Sequence, residues 1–166
     1  AMNQIITISR EFGAGGHTIG KRVAQELGIG FFDRDIVRET AKASGFDPEL
    51  IEKEGEDVSR ADSILKTICS ASSLQFHDTQ EVIHDVQQAI IVQLAKKGPC
   101  VILGRCGDYV LRERPNVLRT FVYAPLETRI QFAKSRPDAK DMPDRLWETQ
   151  LAKHDRARAS YYNYYT

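Results

Sequence analysis

The sequence predicts a single α/β domain with a parallel sheet flanked by helices, and three observations support that class. Short apolar, β-branched runs of the kind that form buried strands recur along the chain. Segments with helical spacing of apolar residues alternate with them, which favours parallel strands joined by right-handed crossovers. The length of 166 residues, with 42% hydrophobic and 28% charged residues, suits one globular domain with its own core.

The first half contains two predicted strands, over residues 5–9 and 29–33. A helix over residues 18–27 lies between them and ends at Gly28. Its expected buried stripe consists of Ile19, Val23, Ala24 and Leu27. We expect a further helix over residues 35–43, a solvated acidic helix face over residues 47–62 and a mobile connection over residues 70–75.

The second half begins with the clearest helix, over residues 79–97, which ends at Gly98. Its expected buried stripe consists of Val82, Val86, Ile90 and Leu94. Buried-type strands are predicted over residues 100–104 and 117–124, and Pro125 opens a helix through residue 134. No element is assigned to the closing tail RARASYYNYYT. Either the domain ends in this unusual way or, as we favour, a C-terminal strand and helix follow the tail.

Charge content narrows the function classes. The chain carries 23 basic and 23 acidic residues, which argues against bulk electrostatic binding to nucleic acid or to an anionic membrane. Residues 1–104 hold 11 Lys and Arg against 15 Asp and Glu, whereas residues 105–158 hold 12 against 8. This arginine-rich bias within a neutral chain favours a small anionic ligand.

Cysteine content and hydropathy indicate the compartment. The three cysteines are an odd number without metal-ligand spacing, which favours a reducing environment. The sequence shows no signal peptide and no apolar run of about 18 residues. We therefore expect a cytoplasmic protein that binds no membrane.

A glycine-rich stretch, residues 13–16, joins the first strand to the first helix in the manner of a phosphate-binding loop. In one register, a G-x4-G-K motif ends at Lys21. That register places Arg22 where a Ser or Thr hydroxyl should bind magnesium, and it leaves only about two helical turns before Gly28.

A second register is preferred, because it gives the helix close to three turns. Here the loop is FGAGGHT, the helix begins near His17, Thr18 supplies the hydroxyl for Mg²⁺, and Gly16 stands where the lysine is expected. The candidate residues for binding the nucleotide phosphates are Gly13, Ala14, Gly15, Gly16, His17 and Thr18. Lys21 either reaches back to the phosphates or solvates the helix surface.

Four motifs in this order, the glycine loop, GFFD, LGRCGDYVL and YAPLETRI, together with DRARASYYNYYT, carry a family resemblance. From about residue 5 to residue 166 the chain resembles the cytidylate kinase-like family of P-loop nucleoside monophosphate kinases. The resemblance implies a three-layer P-loop fold, ATP and Mg²⁺ as cofactors, and a small nucleotide substrate. It also implies phosphoryl transfer to a CMP or dCMP type of acceptor.

The resemblance assigns roles to particular residues. It implies substrate binding by Asp33, Arg38, Arg105 and Asp108. It implies a catalytic pool of the cations Arg105, Arg129, Arg156 and Arg158, and Lys21 is the further catalytic candidate that could replace the missing loop lysine. Arginine suits this task because its charge persists and its fork can bind two phosphate oxygens. The resemblance also divides the chain into an acceptor-binding insert over about residues 35–80 and a lid-like segment over about residues 135–158.

Two departures from the family pattern concern the chemistry. Gly16 replaces the loop lysine, and Cys106 replaces the acid of a Gly-Arg-Asp run, for which Asp108 is a possible substitute. One alternative is therefore a non-catalytic nucleotide- or phosphate-binding module, and another is a P-loop kinase of a different small molecule. Arg129 could instead serve in ion pairs, and Asp33 or Asp108 could cap helices.

Overall fold

The computed structural model describes residues 4–33, 36, 79–137 and 139–166, with residues 79–83 described by their backbone alone. The predicted helix over 35–43, the acidic stretch over 47–62 and the connection over 70–75 lie outside this description, Ile36 excepted. Arg38, proposed from the resemblance to bind substrate, also lies outside it.

Four parallel strands and five helices make up the described part of the chain. In chain order they are β1 (Ile5–Arg10), α1 (Gly16–Leu27), β2 (Gly30–Phe32), α2 (Thr79–Lys97), β3 (Cys100–Leu103), α3 (Gly107–Val110), β4 (Val117–Val122), α4 (Leu126–Lys134) and α5 (Asp144–Tyr165). The described strands lie in the order β2-β3-β1-β4, and each pairs in parallel with its neighbour. The predicted α/β class is confirmed.

The core divides between the two faces of this sheet because successive strand residues point to opposite faces. Along β1, Ile5 packs with Ile91 and Ala95 of α2 on one face. Ile6 and Ile8 pack with the α1 side on the other face. Helices thus cover both faces, which produces the three layers that the family resemblance implies.

Helix α1 meets the sheet through small residues, and its predicted stripe is wrong at two positions. The buried residues are Gly16, Gly20 and Ala24, whereas Ile19 is 44% exposed and Leu27 is 58% exposed. A Cβ added at Gly20 would lie only 3.0 Å from side-chain carbons of Ile8 and Phe31, so the helix approaches the sheet too closely for larger residues. The helix begins at Gly16, two residues before the predicted start.

Helix α2 is confirmed over its predicted span, but the centre of its buried face is shifted. The buried side chains are His84, Gln87, Ile91 and Ala95. Ile90 and Leu94 of the predicted stripe are only partly buried and flank this face. The prediction missed the centre of the buried face because two polar residues, His84 and Gln87, occupy buried positions that a hydrophobic pattern cannot recognise.

The remaining elements differ from expectation at the sheet edge and at the chain end. Strand β4 ends at Val122 and is the outer strand of the described sheet, with Leu118 and Phe121 exposed rather than buried. Pro125 caps α4 as predicted. The tail without an assigned element belongs to α5, which runs to Tyr165 and buries Trp147 against α4.

Helix burial can be tested with two matched isoleucines. Ile91→Ala should lower the free energy of unfolding by about 2–5 kcal/mol, because Ile91 is fully buried and its loss leaves a cavity. Ile19→Ala removes the same atoms from a side chain that is 44% exposed, so its cost should stay below about 1 kcal/mol. Urea denaturation of both variants measures the difference, and equal costs would contradict the described faces.

Candidate functional site

A cavity of about 580 Å³ lies beyond the carboxyl ends of β1 and β3 and beside β4, with the last turns of α5 as its far wall. Its charged lining consists of four arginines, Arg10, Arg105, Arg119 and Arg158, and three carboxylates, Glu11, Asp108 and Asp155. This edge of an open parallel sheet is where such folds bind their ligands. The volume falls within the usual range for small-molecule sites.

Arg105 reaches the cavity from a strained turn after β3. Gly104, Arg105 and Cys106 have φ values of 70°, 57° and 54°, so three successive residues adopt the left-handed conformation. Each non-glycine residue there costs about 1–2 kcal/mol. The Arg105 Nη1 atom is buried and has no hydrogen-bond acceptor among the described residues. A buried cation donor of this kind favours an anionic ligand.

Asp108 and Tyr162 form the opposite part of the wall. The Tyr162 hydroxyl donates to Asp108 Oδ2 at 2.9 Å. Burial, together with this hydrogen bond and the Asp108 charge, raises the pKa of Tyr162 to about 12, so the phenol remains a protonated donor. The second carboxylate oxygen, Oδ1, is buried without a described donor, which leaves it able to accept a hydrogen bond from a ligand.

The other two arginines are anchored through backbone carbonyls. Arg119 donates from Nη2 to Leu111 O at 3.1 Å and to Arg112 O at 2.9 Å, which ties β4 to the turn after α3. Arg158 donates from Nη1 to Arg10 O at 3.3 Å. Both guanidinium groups are thus held in place by backbone carbonyls at the wall of the cavity.

Arg129 is placed differently, since it is only 7% exposed and does not line the cavity. Its Nε donates to Phe12 O at 2.8 Å, Nη1 lies 3.4 Å from Glu11 Oε2, and Nη2 donates to Asp155 Oδ2. Asp155 Oδ1 in turn accepts from Phe12 N at 2.7 Å. Arg129 therefore joins the residues before the glycine loop to α4 and α5.

The glycine loop lies between β1 and α1 in a conformation suited to a phosphate group. Gly13 and Gly15 have φ values of 78° and 81°, and α1 begins at the next residue, Gly16. The first N–H groups of a helix have no partner within it, and the helix dipole favours an anion there. Thr18, in that first turn, has an exposed side chain. The geometry of α1 agrees with the second register.

The cavity brings together only part of the set proposed from the sequence. Arg105, Asp108 and Arg158 line it, whereas the glycine loop, Lys21 and Arg156 do not. Lys21 and Arg156 have exposed side chains on α1 and α5. Their catalytic roles stay predictions.

Asp33 directly follows β2 and lies beside the first turn of α1. Its Oδ2 is 3.8 Å from His17 Nε2, next to the first turn of α1. This pair places Asp33 beside the expected phosphate-binding residues and away from the cavity, and its role in substrate binding stays a prediction.

Two cavity arginines, Arg10 and Arg119, were missed from the sequence. Each occurs inside or at the end of an otherwise apolar strand, and that interruption is the signal that could have identified them.

The family model of the cytidylate kinase-like family matches residues 5–166. The chain belongs to the cytidylate kinase-like family. This confirms the resemblance carried by the glycine loop and the three later motifs. No curated protein matches the chain.

Solved structures agree with this family assignment at the level of the fold. An uncharacterized protein from Eubacterium ventriosum ATCC 27560 has a TM-score of 0.67 and 23% identity, over 98% of this chain and 78% of its own. Shikimate kinase from Bacteroides thetaiotaomicron has a TM-score of 0.56 and 16% identity, over 96% and 82%. TT1252 from Thermus thermophilus has a TM-score of 0.54 and 18% identity, over 95% and 81%. The chain has a P-loop kinase fold.

The residues of this family member fit the nucleotide that the family implies. The left-handed glycines and the start of α1 suit a phosphate group, and Arg105 Nη1 is a buried donor in need of an acceptor. Among the described residues, no group of three or more His, Cys, Asp or Glu side chains is arranged to hold a metal. No described helix has the length and apolar character needed to cross a membrane.

Cys106, which replaces the family's acid, is a buried neutral thiol. Burial, with the nearby Asp108 charge, raises its pKa to about 12, and burial raises the pKa of Cys100 to about 11. At pH 8 about one such thiol in a thousand or fewer is ionised. In a Cys69→Ser background, neither thiol should react with Ellman's reagent within minutes until denaturant is added. Stoichiometric labelling of the folded protein would contradict this placement.

A buried histidine holds the cavity wall formed by α5 to α2. Gln88 Nε2 donates to His84 Nε2 at 2.7 Å, so Nδ1 of the neutral ring carries the proton and donates to the Tyr161 hydroxyl at 3.1 Å. The ring also stacks on Tyr165 with centroids 3.7 Å apart. Burial lowers the pKa of His84 despite the opposing charge of Asp85.

This histidine should make stability depend on pH. Below about pH 6.5 the unfolded chain protonates His84 while the folded protein resists, so the unfolded state binds more protons and the free energy of unfolding falls as pH falls. His84→Gln should flatten the profile between pH 7 and 5, because it removes the group whose pKa differs between the folded and unfolded states. Urea denaturation across this range is the measurement, and an unchanged slope in His84→Gln would refute the assignment.

Proposed function

We propose that the protein is a phosphotransferase that moves the γ-phosphoryl group of ATP to a nucleoside monophosphate, preferably CMP or dCMP. The observation that supports this most directly is the convergence of arginines on one cavity at the carboxyl edge of the sheet, beside the glycine loop. Transfer between two phosphate-bearing molecules depends mainly on positioning and on neutralising negative charge. The choice of a cytidine base rests on the family alone.

The proposed roles follow from where each residue lies. When bound, MgATP would supply the phosphoryl group; the backbone N–H groups of residues 13–18 would hold its phosphates, and the Thr18 hydroxyl would be the candidate ligand of the metal. Arg105 and Arg158 bind the acceptor phosphate in the cavity. Asp108 Oδ1 accepts a hydrogen bond from the nucleoside monophosphate, while the Tyr162 hydroxyl donates to Oδ2 and holds the carboxylate in place.

The remaining candidates have less direct parts in this proposal. Arg129 positions the loop and α5 through its buried contacts rather than touching substrate. We propose that Asp33 and Arg38 also bind the acceptor. Lys21 on α1 and Arg156 on α5 would add positive charge near the phosphates if the other cations do not suffice. We propose that about residues 35–80 supply the acceptor-binding insert and about residues 135–158 the lid.

A binding module without catalysis is the rival, and two residues favour it. Gly16 supplies no lysine charge, and the buried Cys106 thiol, with its pKa raised to about 12, stays neutral and cannot supply the negative charge of the missing carboxylate. A kinase of another small acid is a second rival, given the fold shared with shikimate kinase.

The test is ADP release from MgATP in a coupled assay with CMP, dCMP, UMP, AMP, GMP and shikimate as acceptors. Turnover should depend on CMP or dCMP. Arg105→Ala should lower kcat/KM by about 10²–10⁴-fold, because it removes a cation that contacts the transferring or accepting phosphate. Arg22→Ala, an exposed arginine on α1 paired with Glu26, is the matched control and should change it less than about twofold.

Each other outcome selects a rival. Nucleotide binding without turnover on any acceptor would replace the proposal with the binding module. Turnover with shikimate alone would move the acceptor out of the nucleotide class.

A further inference from the structure

Arg10, the last residue of β1, runs between two glycines from different elements. A Cβ added at Gly16, the first residue of α1, would lie 2.8 Å from both Cβ and Cγ of Arg10. A Cβ added at Gly104, after β3, would lie 2.5 Å from Arg10 Nη1. The stem therefore crosses the start of α1, where a side chain at position 16 would meet its Cβ and Cγ atoms, and the guanidinium lies by Gly104, the residue after β3.

Gly16 is explained by this contact and not by its own backbone. It lies in α1 and is not among the described glycines with positive φ, so its conformation is open to any residue. Glycine within a helix costs about 1 kcal/mol relative to alanine. The absence of a side chain at position 16 thus makes room for Arg10.

The two positions are exchanged relative to the ordinary phosphate loop. The motif G-x4-G-K places its first glycine at position 10, its second at Gly15 and its lysine at position 16. This chain has the cation at position 10 and a glycine at position 16. The Cβ and Cγ atoms of Arg10 occupy the space in which a lysine side chain at position 16 would begin, and the guanidinium extends from there to Gly104.

We propose that Arg10 supplies the phosphate-binding charge that the loop lysine supplies in other P-loop proteins. The proposal rests on the nucleotide-binding function above. Arg10 also lines the cavity that contains Arg105, so its charge lies between the start of α1 and the acceptor region. Its backbone is fixed by pairing with Val122 and by the hydrogen bond from Arg158 to its carbonyl. A planar guanidinium retains its charge and can bind two phosphate oxygens at once.

The first test measures the affinity of a fluorescent ADP analogue, N-methylanthraniloyl-ADP, with Mg²⁺. Arg10→Ala and Arg10→Gln should weaken binding about 10- to 100-fold, the usual effect of losing a hydrogen-bonded charge. Arg10→Lys should recover part of the loss. Arg22→Ala, an exposed arginine on α1 paired with Glu26, is the control and should bind within about twofold of the parent.

The second test exchanges the two residues. Gly16→Lys alone should weaken binding, since its stem meets that of Arg10, and Arg10→Gly alone should weaken it by removing the charge. The double variant Arg10→Gly with Gly16→Lys rebuilds the ordinary motif and should bind within about tenfold of the parent. If each single variant loses affinity and the double variant regains it, the two residues compete for one space and supply one and the same charge.

Thermal unfolding without nucleotide provides an independent readout. Gly16→Ala should lower Tm in the parent chain, and most of that loss should disappear in an Arg10→Gly background, because the added Cβ then has room. Additive losses would overturn the packing argument.

The outcomes separate this inference from the proposed function. A parent protein that binds no nucleotide overturns both. A parent that binds, with Arg10→Ala and Arg10→Gln within twofold of it, overturns the role of Arg10 alone. Loss of binding in Lys21→Ala but not in the Arg10 variants would assign the charge to Lys21 instead.

Discussion

The buried guanidinium of Arg129 is the interaction on which the candidate site depends. A charge this deeply buried is tolerated only when it is fully paired, and its partners come from two distant parts of the chain, Glu11 with Phe12 and Asp155. The backbone of Arg129 is equally constrained, because a Cβ at Gly13 would lie 2.7 Å from its carbonyl oxygen. One residue of α4 therefore fixes the glycine loop from one side and α5 from the other. Removing it would leave two carboxylates facing each other near the loop.

That constraint explains how a cavity arises where the sequence shows only separate motifs. The strand ends supply Arg105 through a strained left-handed turn, and α5 supplies Arg158 and Tyr162 across the gap. The position of α5 is set at its start by Trp147 and Leu151 against α4, in its middle by Asp155, and near its end by Tyr161 on His84. The strain at residues 105–106 is sustained because the elements around it are fixed at several points.

Local pattern was sufficient for the order and type of most elements, since strand runs and helix stops are encoded within a few residues. The local pattern did not predict which face of a helix is buried or which side chains pair with one another. Ile19 fits a helical stripe, yet close packing against Ile8 favours Gly20 and Ala24 instead. The chemistry of Arg129 suits a phosphate as well as a carboxylate, and only the fold, which brings Glu11 and Asp155 to its guanidinium, shows which it meets. Helix α5 was missed because its anchors are few and its aromatic end resembles a tail.

The departures at positions 16 and 106 acquire different meanings once packing is considered. Cys106 is a true loss of charge at its position, because burial keeps the thiol neutral and its backbone is committed to the turn. Gly16 is not a loss in the same sense, because the space that it vacates is filled by Arg10. A motif compares side chains position by position, whereas a phosphate responds to where charge lies in space. Two residues that are six apart in sequence can therefore exchange a glycine and a cation: the stem of Arg10 fills the space beside Gly16, and its guanidinium lies by Gly104 at the carboxyl edge of the sheet.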